Sequence, residues 1–372
     1  MDQESGHVRL NRAVIRREAN GKTIWQPRIG DWYNRRAHLG LEFPGRFRGT
    51  SSWVELFDRL GVSTRAYGYN KTFEEHYDDP NIVRGSRKLN DLETLNYIKT
   101  PVGEVTSVYR AAKNDWGGHT TKYCLETAED VRVYMYIQEH LRFVFNREAY
   151  DEMYALYGHL GLPIVHIQKT NMQWLIVALA GTLNTFYLMQ DYPDLMDEFI
   201  KIIDRSHIQL MNLIATAPFE WVSFGDNVHS KILSPRLFEK YMLPAYQRHS
   251  EILRKAGIFT HAHFDGDCKE LLPYIKDTGL DGIEAITPPP QGDVTLREAR
   301  DALGDKFLLD GIAALLFDPF YPLKQLRQQA EECLNLFEGQ LVLGISDEIC
   351  GTGSLDRIEY VQEIVNDFNA RH

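Results

Sequence analysis

The stretch Ile258–Ile286, IFTHAHFDGDCKELLPYIKDTGLDGIEAI, contains the pattern that decides the fold. A short apolar run, Ile258–Phe264, is followed by an amphipathic run and then by a second short apolar run, Leu280–Ile286. Short apolar runs separated by amphipathic segments are typical of strands that alternate with helices in a parallel sheet. The stretch therefore predicts a strand–helix–strand unit whose strands both carry polar side chains near their ends.

The same rhythm extends over the rest of the chain. Five further short apolar runs are predicted to be strands: Thr23–Gly30, Leu162–Gln168, Trp221–Asn227, Lys306–Ile312 and Gln340–Ser346. A closed barrel and an open doubly wound sheet both fit this alternation. None of the strands is followed by a glycine-rich phosphate-binding motif, which disfavours a nucleotide-binding open sheet.

Helix-start signals lie between the predicted strands. Ser234 is the expected N-cap of a helix that should stop at Gly257. Two capping boxes have the Thr-x-x-acid pattern, at Thr127/Asp130 and Thr295/Glu298. We predict an α/β fold, a single (β/α)₈ TIM barrel over residues 1–372, with an inserted β segment within residues 60–125.

Composition excludes several classes of protein. The 372 residues have a formal net charge of −11, and no Lys/Arg tract suggests a nucleic-acid partner. No stretch of about 18 uncharged apolar residues predicts a membrane span. The polar amino terminus lacks the apolar core of a secretory signal, so we expect a cytoplasmic protein whose four cysteines are free thiols.

Polar side chains suited to metal binding or acid–base chemistry recur at the ends of the predicted strands. In a TIM barrel the carboxyl ends of the strands meet at one face, where the active site lies. We therefore expect these residues to share a site: Arg28, Asp31, His166, Gln168, Asp226, Asn227, His261, His263, Asp265, Glu284, Asp347, Glu348 and Cys350.

His261 and His263 are the strongest candidates for metal ligands. Residues two apart lie on the same side of an extended strand, so both imidazoles can face one point. Glu284, Asp347 and Cys350 follow at the ends of later strands and could complete the site. Two histidines with carboxylates suit Zn²⁺ or another borderline divalent metal. The alternative is that the histidines are polar residues of a solvated loop.

Longer segments match a known family. They are NRAVIRREANGKTIWQPR (Asn11–Arg28), ELFDRLGV (Glu55–Val62), FGDNVHSKILSPRLFEKYMLP (Phe224–Pro244), the opening stretch and VLGISDEICGTGSLDRIEYVQEIV (Val342–Val365). Over roughly residues 8–368 the chain resembles the uroporphyrinogen decarboxylase superfamily. Within that superfamily it resembles the cobalamin-linked (corrinoid) methyltransferases more than the true decarboxylases.

Two departures disfavour the decarboxylase activity. True decarboxylases carry an arginine-rich segment after the first strand that binds the carboxylates of the substrate. Here QPRIGDWY keeps Arg28 but has Asp31 where a second arginine is expected, and no FSDI-like segment supplies the catalytic aspartate.

The resemblance implies a metal site. Methyltransferases of this superfamily hold zinc with His-x-Cys after one strand and a further Cys after the last. Cobalamin-independent methionine synthases have a similar site with a Glu on the intervening strand. Carried over, His261 and Glu284 match, His263 replaces a cysteine, and Asp347 is the last ligand, with Cys350 as the near alternative. A nitrogen and oxygen ligand set makes the metal a harder Lewis acid.

The function implied is removal of a methyl group from a small substrate, with O-methyl expected ahead of N-methyl or S-methyl. A Co(I) corrinoid takes the methyl group, with a metal or a nearby acid assisting the leaving oxygen. The cobalamin should sit on a partner protein, because the chain has no D-x-H-x-x-G corrinoid motif. A homodimer is left open.

Three further residues are candidates for catalytic roles. Asp226 and His166 are predicted to position the substrate or transfer protons, and Arg28 to anchor a substrate anion. Each has a structural alternative, respectively loop capping, a satisfied barrel histidine and an ion pair. Three other functions also stay open: a uroporphyrinogen decarboxylase-like lyase, a metal-assisted hydrolase or lyase, and a non-catalytic small-molecule-binding barrel.

Overall fold

The computed structural model describes residues 4–167 and 169–372. The predicted site residue Gln168 lies outside the described residues. In chain order the strands are β1 (Ile24–Gln26), β2 (Phe73–Tyr77), β3 (Val83–Lys88), β4 (Glu93–Thr100), β5 (Gly103–Ala111), β6 (Gly118–Lys122), β7 (Leu141–Phe145), β8 (Ile164–Ile167), β9 (Trp221–Val228), β10 (Phe259–Phe264), β11 (Gly282–Glu284), β12 (Phe307–Ala313) and β13 (Leu341–Ser346).

Helices cover the outer face of the main sheet. The α-helices are α1 (Gly6–Ile15), α2 (Gly30–His38), α3 (Trp53–Leu60), α4 (Ala128–Glu139), α5 (Arg147–Tyr157), α6 (Asn171–Trp174), α7 (Gly181–Asp191), α8 (Pro193–Ile214), α9 (Pro235–Leu237), α10 (Leu243–Lys255), α11 (Leu296–Leu303), α12 (Leu323–Leu336) and α13 (Leu355–Asn369). Short 3₁₀ turns span Gly45–Phe47, Tyr67–Thr72, Lys269–Asp277 and Ala314–Phe317, and π-helical turns span Leu175–Leu179 and Phe238–Met242. No helix within the described ranges is long and apolar enough to cross a bilayer.

The main sheet is a curled parallel sheet of seven strands. Its order is β1-β13-β12-β11-β10-β9-β8, and each neighbouring pair is parallel. These are the seven runs predicted from the sequence. They are almost wholly buried, as expected of a parallel sheet covered by helices.

An eighth strand, and with it the predicted closed (β/α)₈ barrel, is not confirmed. Residues 62–66 run between the two edge strands, and the Gln26 amide of β1 donates to Ser63 Oγ at 3.1 Å. The Thr64 N–H donates to the Leu160 carbonyl, ahead of β8, at 3.2 Å. The segment 62–66 lies where an eighth strand would lie, but within the described chain no ladder of backbone hydrogen bonds joins it to β1 or β8.

The inserted β segment forms a separate antiparallel sheet. Strands β3, β4, β5 and β6 pair in that order, and β4 and β5 meet at a tight hairpin with Thr100 opposite Gly103. Strand β2 leaves this segment to pair with β7, which lies beyond the predicted interval. The predicted excursion is therefore present, with a second two-stranded sheet beside it.

An apolar plug fills the amino-terminal end of the main sheet. The rings of Trp221, Phe259 and Phe307 meet there, with 5.4 Å between the first two centroids and 5.3 Å between the last two. Helix α1 covers this end, and its residues Val8 and Val14 join the same cluster. The plug leaves the carboxyl ends of the strands as the open end of the sheet.

The helix signals read from the sequence have structural counterparts. Both predicted capping boxes form, at Thr127/Asp130 and at Thr295/Glu298. Ser234 precedes the first turn of α9, but its side chain makes no capping hydrogen bond. The helix predicted to run on to Gly257 is interrupted by the π-helical turn 238–242, next to Pro244, which has no N–H to donate.

Candidate functional site

Charged and imidazole side chains fill the open end of the main sheet, directly above the apolar plug. Every second side chain of a strand lies on the same face. Phe259 of β10 belongs to the plug, so His261 and His263 lie on the same inner face, closer to the carboxyl end of the strand. We call the group the strand-end cluster and define it as Arg28, Arg65, His261, His263, Glu284 and Asp310. All six are buried except Arg28, whose side chain is 13% exposed.

Glu284 is the centre of this cluster. Its Oε2 lies 2.7 Å from His263 Nδ1, and its Oε1 lies 3.4 Å from His261 Nε2. Arg65 forms an ion pair with Oε1, and Arg28 lies 3.7 Å from Oε2. Burial would raise the Glu284 pKa, but Arg65 and Arg28 outweigh it and hold the pKa well below the ordinary value. Glu284 is therefore a charged carboxylate shared by four side chains.

The hydrogen bond from Trp221 determines the tautomer of His261. The Trp221 indole N–H donates to His261 Nδ1 at 2.8 Å. An indole can only donate, so Nδ1 must be unprotonated and the ring proton sits on Nε2, which faces Glu284. Burial is the main reason that the His261 pKa is lowered, which favours the neutral ring.

In His263, unlike His261, it is Nδ1 that carries a proton. Its Nδ1 lies 2.7 Å from Glu284 Oε2, a distance at which Nδ1–H donates to the carboxylate. Arg28 NH1 is farther away, 3.2 Å from the same nitrogen. No hydrogen bond to His263 Nε2 occurs in the described chain, and the side chain is 8% exposed. His263 Nε2 is thus the imidazole nitrogen that is left for chemistry.

Arg65 bridges Glu284 to Asp310. It contacts Asp310 Oδ1 as well as Glu284 Oε1. Burial raises the Asp310 pKa to about 6 even though Arg65 opposes the shift. A Cβ at Gly344 would overlap Asp310 Oδ1 and lie 3.0 Å from Arg65 NH2, so this strand position has to be glycine.

The backbone at Asp310 departs from strand geometry. Phe307 and Leu309 already face the inner plug, so regular alternation would turn Asp310 outward. Asp310 has φ 75° and Gly311 has φ 99°, and this left-handed stretch brings the carboxylate inward onto Arg65. Asp is among the residues that tolerate this conformation, and strain of this kind concentrates at functional sites.

The two candidates for the last metal ligand lie in different places. Asp347, with φ 71°, is close enough to Arg28 and His263 to feel their charges, and burial is the main cause of its raised pKa. Cys350 is exposed, with its sulfur 2.9 Å from Thr352 Oγ1 and 4.0 Å from Asp318 Oδ2. The structure therefore brings Asp347, but not Cys350, towards the histidines.

The strand-end residues do not fit a zinc ion held by His261, His263 and Glu284. A neutral imidazole that accepts at Nδ1 has no lone pair at Nε2 to offer a metal. The Glu284 carboxylate is already paired with Arg65, and Arg28 lies beside it. These two guanidinium groups supply the positive charge that a zinc ion would otherwise supply. A metal at this position stays a prediction, and no catalytic step below passes through one.

Asp226 caps a loop. Its carboxylate accepts from the Thr170 N–H, the Thr170 hydroxyl and the Tyr246 hydroxyl, each at 2.6 Å. The residue is fully buried. These bonds tie the loop before α6 to α10, which matches the structural alternative for Asp226.

His166 lies at the edge of the open end. Its Nδ1 is 3.2 Å from Ser223 Oγ, its ring packs edge-on against Tyr67 at 4.9 Å, and Gly225 leaves room for the imidazole. Burial is the main cause of a pKa lowered to about 3, so the ring is neutral. Nearby, the Lys169 ammonium donates to Asn227 Oδ1 at 2.6 Å.

An aromatic cavity opens beside the cluster. Its volume is about 240 Å³, and its lining includes Tyr33, Trp53, Tyr67 and Tyr157 together with Arg65. Arg65 Nε is buried without a hydrogen-bond partner, although the other nitrogens of this guanidinium contact Glu284 and Asp310. The cavity can hold a small flat molecule against Arg65, the member of the strand-end cluster in its lining.

Sequence reasoning missed Arg65, Asp310 and Lys169. Asp310 had a readable signal, because an aspartate inside the apolar run KFLLDGI must be paired if the strand is buried. Arg65 belongs to a stretch with no strand signature, and its partner is 219 residues away. Lys169 follows a predicted strand end, where a polar residue is common.

The comparisons with known proteins identify the family. The family model for uroporphyrinogen decarboxylase (URO-D) matches residues 172–368, which is more than half of the chain. The chain therefore belongs to the uroporphyrinogen decarboxylase family, as its resemblance predicted. Among proteins with curated functions, none matches the sequence.

Solved structures agree on the fold. A methyltransferase from Methanosarcina mazei is similar over 98% of this chain and 99% of that chain, with 14% sequence identity and a TM-score of 0.60. A B12-independent methionine synthase from Shewanella sp. W3-18-1, in complex with selenomethionine, is similar over 85% of this chain and 86% of that chain, with 10% identity and a TM-score of 0.47. At these identities the first likeness establishes the fold, and the second carries no further argument.

Proposed function

We propose that this chain is a methyltransferase that takes a methyl group from an oxygen of a small substrate and passes it to a corrinoid on a partner protein. The observation that carries the proposal is the pair formed by His263 and Glu284. The carboxylate holds Nδ1–H at 2.7 Å, which leaves Nε2 as the second nitrogen of a side chain that is 8% exposed. A histidine oriented by a carboxylate in this way is suited to general acid–base work.

The reaction needs an acid at the leaving oxygen. A Co(I) corrinoid attacks the methyl carbon with an electron pair, and the C–O bond breaks with its own pair going to oxygen. In this proposal His263 gives an Nε2 proton to that oxygen, and Glu284 keeps its hydrogen bond to Nδ1–H throughout. The products are an alcohol or phenol, a methyl–Co(III) corrinoid and a neutral His263, so atoms and electrons balance.

The aromatic cavity supports a flat, apolar substrate body. Tyr33, Trp53, Tyr67 and Tyr157 can enclose a ring, and Arg65 lies both in the cavity lining and on Glu284. Arg28 is 13% exposed and its Nε lies 3.7 Å from Glu348 Oε1, so we assign to it contact with at most one substrate anion. The fold shared with the Methanosarcina mazei methyltransferase is compatible with this activity.

The charge balance of the site argues against a polycarboxylate substrate. A decarboxylase of this family would need uncompensated arginines for several substrate carboxylates. Arg28 and Arg65 are instead surrounded by Glu284, Asp310 and Glu348. Little positive charge is left over, so we favour a substrate with at most one anionic group.

The test is methyl transfer to cob(I)alamin from a panel of methoxylated aromatic compounds, followed by the absorbance of methylcobalamin. The wild type should transfer from at least one compound. His263→Asn should lower that rate by about 10²–10⁴-fold, the usual contribution of a general acid. His119→Asn, at an exposed histidine of the inserted sheet, is the matched control and should keep the rate. An unchanged rate in His263→Asn, or no transfer from any compound, would contradict the proposal.

A further inference from the structure

A second group of histidines and a carboxylate lies outside the main sheet. Asp204 and His207 are three residues apart on α8, and His249 lies on α10. One ligand atom from each side chain lies within 4.8 Å of the other two, and all three residues are buried. We call this group the helix cluster. In the described part of the chain it is the one set of three such side chains whose ligand atoms converge this closely.

The surroundings hold both imidazoles in place. His207 stacks on Trp174, with 5.5 Å between the ring centroids, and His249 stacks on Phe224 at 6.0 Å. The two imidazoles meet at 5.9 Å. Two apolar aromatic faces thus orient the rings without using their nitrogens.

An unsatisfied nitrogen points to a missing ligand. His249 is 1% exposed, and its Nε2 is buried without a hydrogen-bond partner. Leaving such a polar atom unpaired costs about 1–3 kcal/mol, so buried polar atoms normally have a partner. A metal ion is one partner that satisfies an imidazole nitrogen in a dry environment.

The Asp204 carboxylate is held by two neighbouring side chains outside the helix cluster. Asn171 donates to Asp204 Oδ1 at 3.0 Å, and Arg248 lies 2.6 Å from Oδ2. Ligating carboxylates are commonly hydrogen-bonded by outer residues in this manner. Each oxygen retains a lone pair, and Arg248 is 46% exposed, so solvent screens its charge.

There is also a route of access. His207 lines a cavity of about 150 Å³, whose wall includes Trp174, Ser206 and Leu210. His166, at the edge of the strand-end cluster, lines the same cavity. An ion bound to the helix cluster would therefore have one side open to this space rather than a complete shell of protein ligands.

We infer that the helix cluster is a binding site for Zn²⁺ or a similar borderline divalent ion, with Asp204, His207 and His249 as ligands. Two imidazoles and a carboxylate form a common zinc set, with the fourth position left to water. Zinc bonds of about 2.0–2.1 Å place tetrahedral ligand atoms about 3.3 Å apart. The ligand atoms of the helix cluster lie within 4.8 Å of one another, so the side chains need to close by at most about 1.5 Å. Such an ion would join α8 to α10 behind β9.

The test is zinc binding by the full chain after removal of metals with a chelator. The wild type should bind one zinc per chain, and His263→Asn should bind equally well. His207→Phe and His249→Phe keep an aromatic ring in each stack and should lose affinity by at least about 100-fold, because even outer-shell changes cost 10–100-fold. Unchanged affinity in both variants, or no zinc bound by the wild type, would overturn the inference.

Zinc-soaked crystals of the wild type decide the case if these variants do not fold. The anomalous signal at the zinc edge should lie between Asp204, His207 and His249. A peak at His261 and His263, or at surface residues alone, would overturn the inference. Neither measurement depends on methyl transfer, so the zinc site and the proposed function can fail separately.

Discussion

The strand-end cluster and the helix cluster each combine two histidines with a carboxylate, yet they differ in what surrounds those groups. At the strand ends, two arginines approach the Glu284 carboxylate and an indole N–H occupies one imidazole nitrogen. Between α8 and α10, aromatic faces hold the rings. Each cluster has one buried imidazole nitrogen without a hydrogen bond, but His261 Nε2 carries the ring proton beside Glu284, whereas no hydrogen bond from a cation or an indole N–H reaches His249 in the described chain. The ligand types alone therefore do not identify a metal site, because the neighbouring donors and cations decide which lone pairs are available.

The different surroundings suit the two clusters to different chemistry, proton transfer at the strand-end cluster and cation binding at the helix cluster. A carboxylate that accepts the Nδ1–H of His263 orients that imidazole for proton transfer. A pair of neutral imidazoles beside a carboxylate is set up for a cation. Burial lowers the His207 pKa to about 4 and also holds the His249 pKa well below its usual range, so neither ring is protonated near neutral pH.

The largest expected effect comes from removing the positive charge of the strand-end cluster. Arg65→Ala would leave Glu284 and Asp310 buried without the guanidinium that pairs them, at a cost of about 3–5 kcal/mol. Urea unfolding measures this loss. Arg147→Ala, which breaks an exposed pair with Asp151, is the control and should leave the free energy of unfolding nearly unchanged.

If Arg65→Ala does not fold, Arg65→Lys gives the same information. Lysine keeps the charge but cannot bridge two carboxylates with a planar fork, so an intermediate loss is expected. A loss no larger than that of the Arg147 control would mean that Arg65 does not provide the charge balance. The strand-end cluster would then be open to a metal after all.

Zinc should distinguish the clusters by stability. A ligand that binds only the folded chain stabilises it by about 2.7 kcal/mol at 100 times its Kd. Unfolding in zinc and in chelator should show this gain in the wild type and in His263→Asn, but not in His249→Phe. The reverse pattern, with the gain lost only in His263→Asn, would assign the metal to the strand ends.

Trp221→Phe tests why His261 is unavailable to a metal. The change keeps a ring in the apolar plug but removes the N–H that His261 Nδ1 accepts, leaving a buried acceptor unpaired at a cost of about 1–3 kcal/mol. The ¹⁵N shifts of the His261 ring should show the Nε2–H tautomer in the wild type and a change in the variant. Trp32→Phe, which removes an indole N–H from the Gly353 carbonyl, should leave these shifts alone. A wild-type ring protonated at Nδ1 would contradict the assignment.

Much of the fold could be predicted from the sequence, and the reason lies in the parallel sheet. Its strands are buried on both faces, so each reads as a short apolar run, and all seven were found in this way. The place of an eighth strand was not readable, because residues 62–66 contain Ser63, Thr64 and Arg65 and make only isolated contacts with their neighbours.

The strand-end cluster was predictable only where side chains alternate regularly between the two faces of a strand. His261, His263 and Glu284 face inward on regular strands, and their meeting followed from the sequence pattern. Asp310 did not, because its inward direction depends on a left-handed backbone that no spacing reveals. The helix cluster combines a three-residue spacing on α8 with a residue on another helix, so its convergence depends on how α8 and α10 pack.

The most gradual effect expected concerns the proton on Asp310. Burial raises its pKa from the ordinary 3.8 to about 6, with Arg65 opposing the shift and Glu284 adding to it. Between about pH 4 and pH 6 the folded chain therefore keeps a proton that the unfolded chain has released. Stability should fall as pH rises through this range and then stay level, by at most about 1.4 kcal/mol per pH unit. Asp310→Asn cannot titrate and should lose this slope in urea unfolding, whereas Asp151→Asn should keep it. Equal slopes in wild type and Asp310→Asn would mean that Asp310 does not keep its proton in this range and that the two arginines hold every strand-end carboxylate charged, which would sharpen the contrast with the helix cluster.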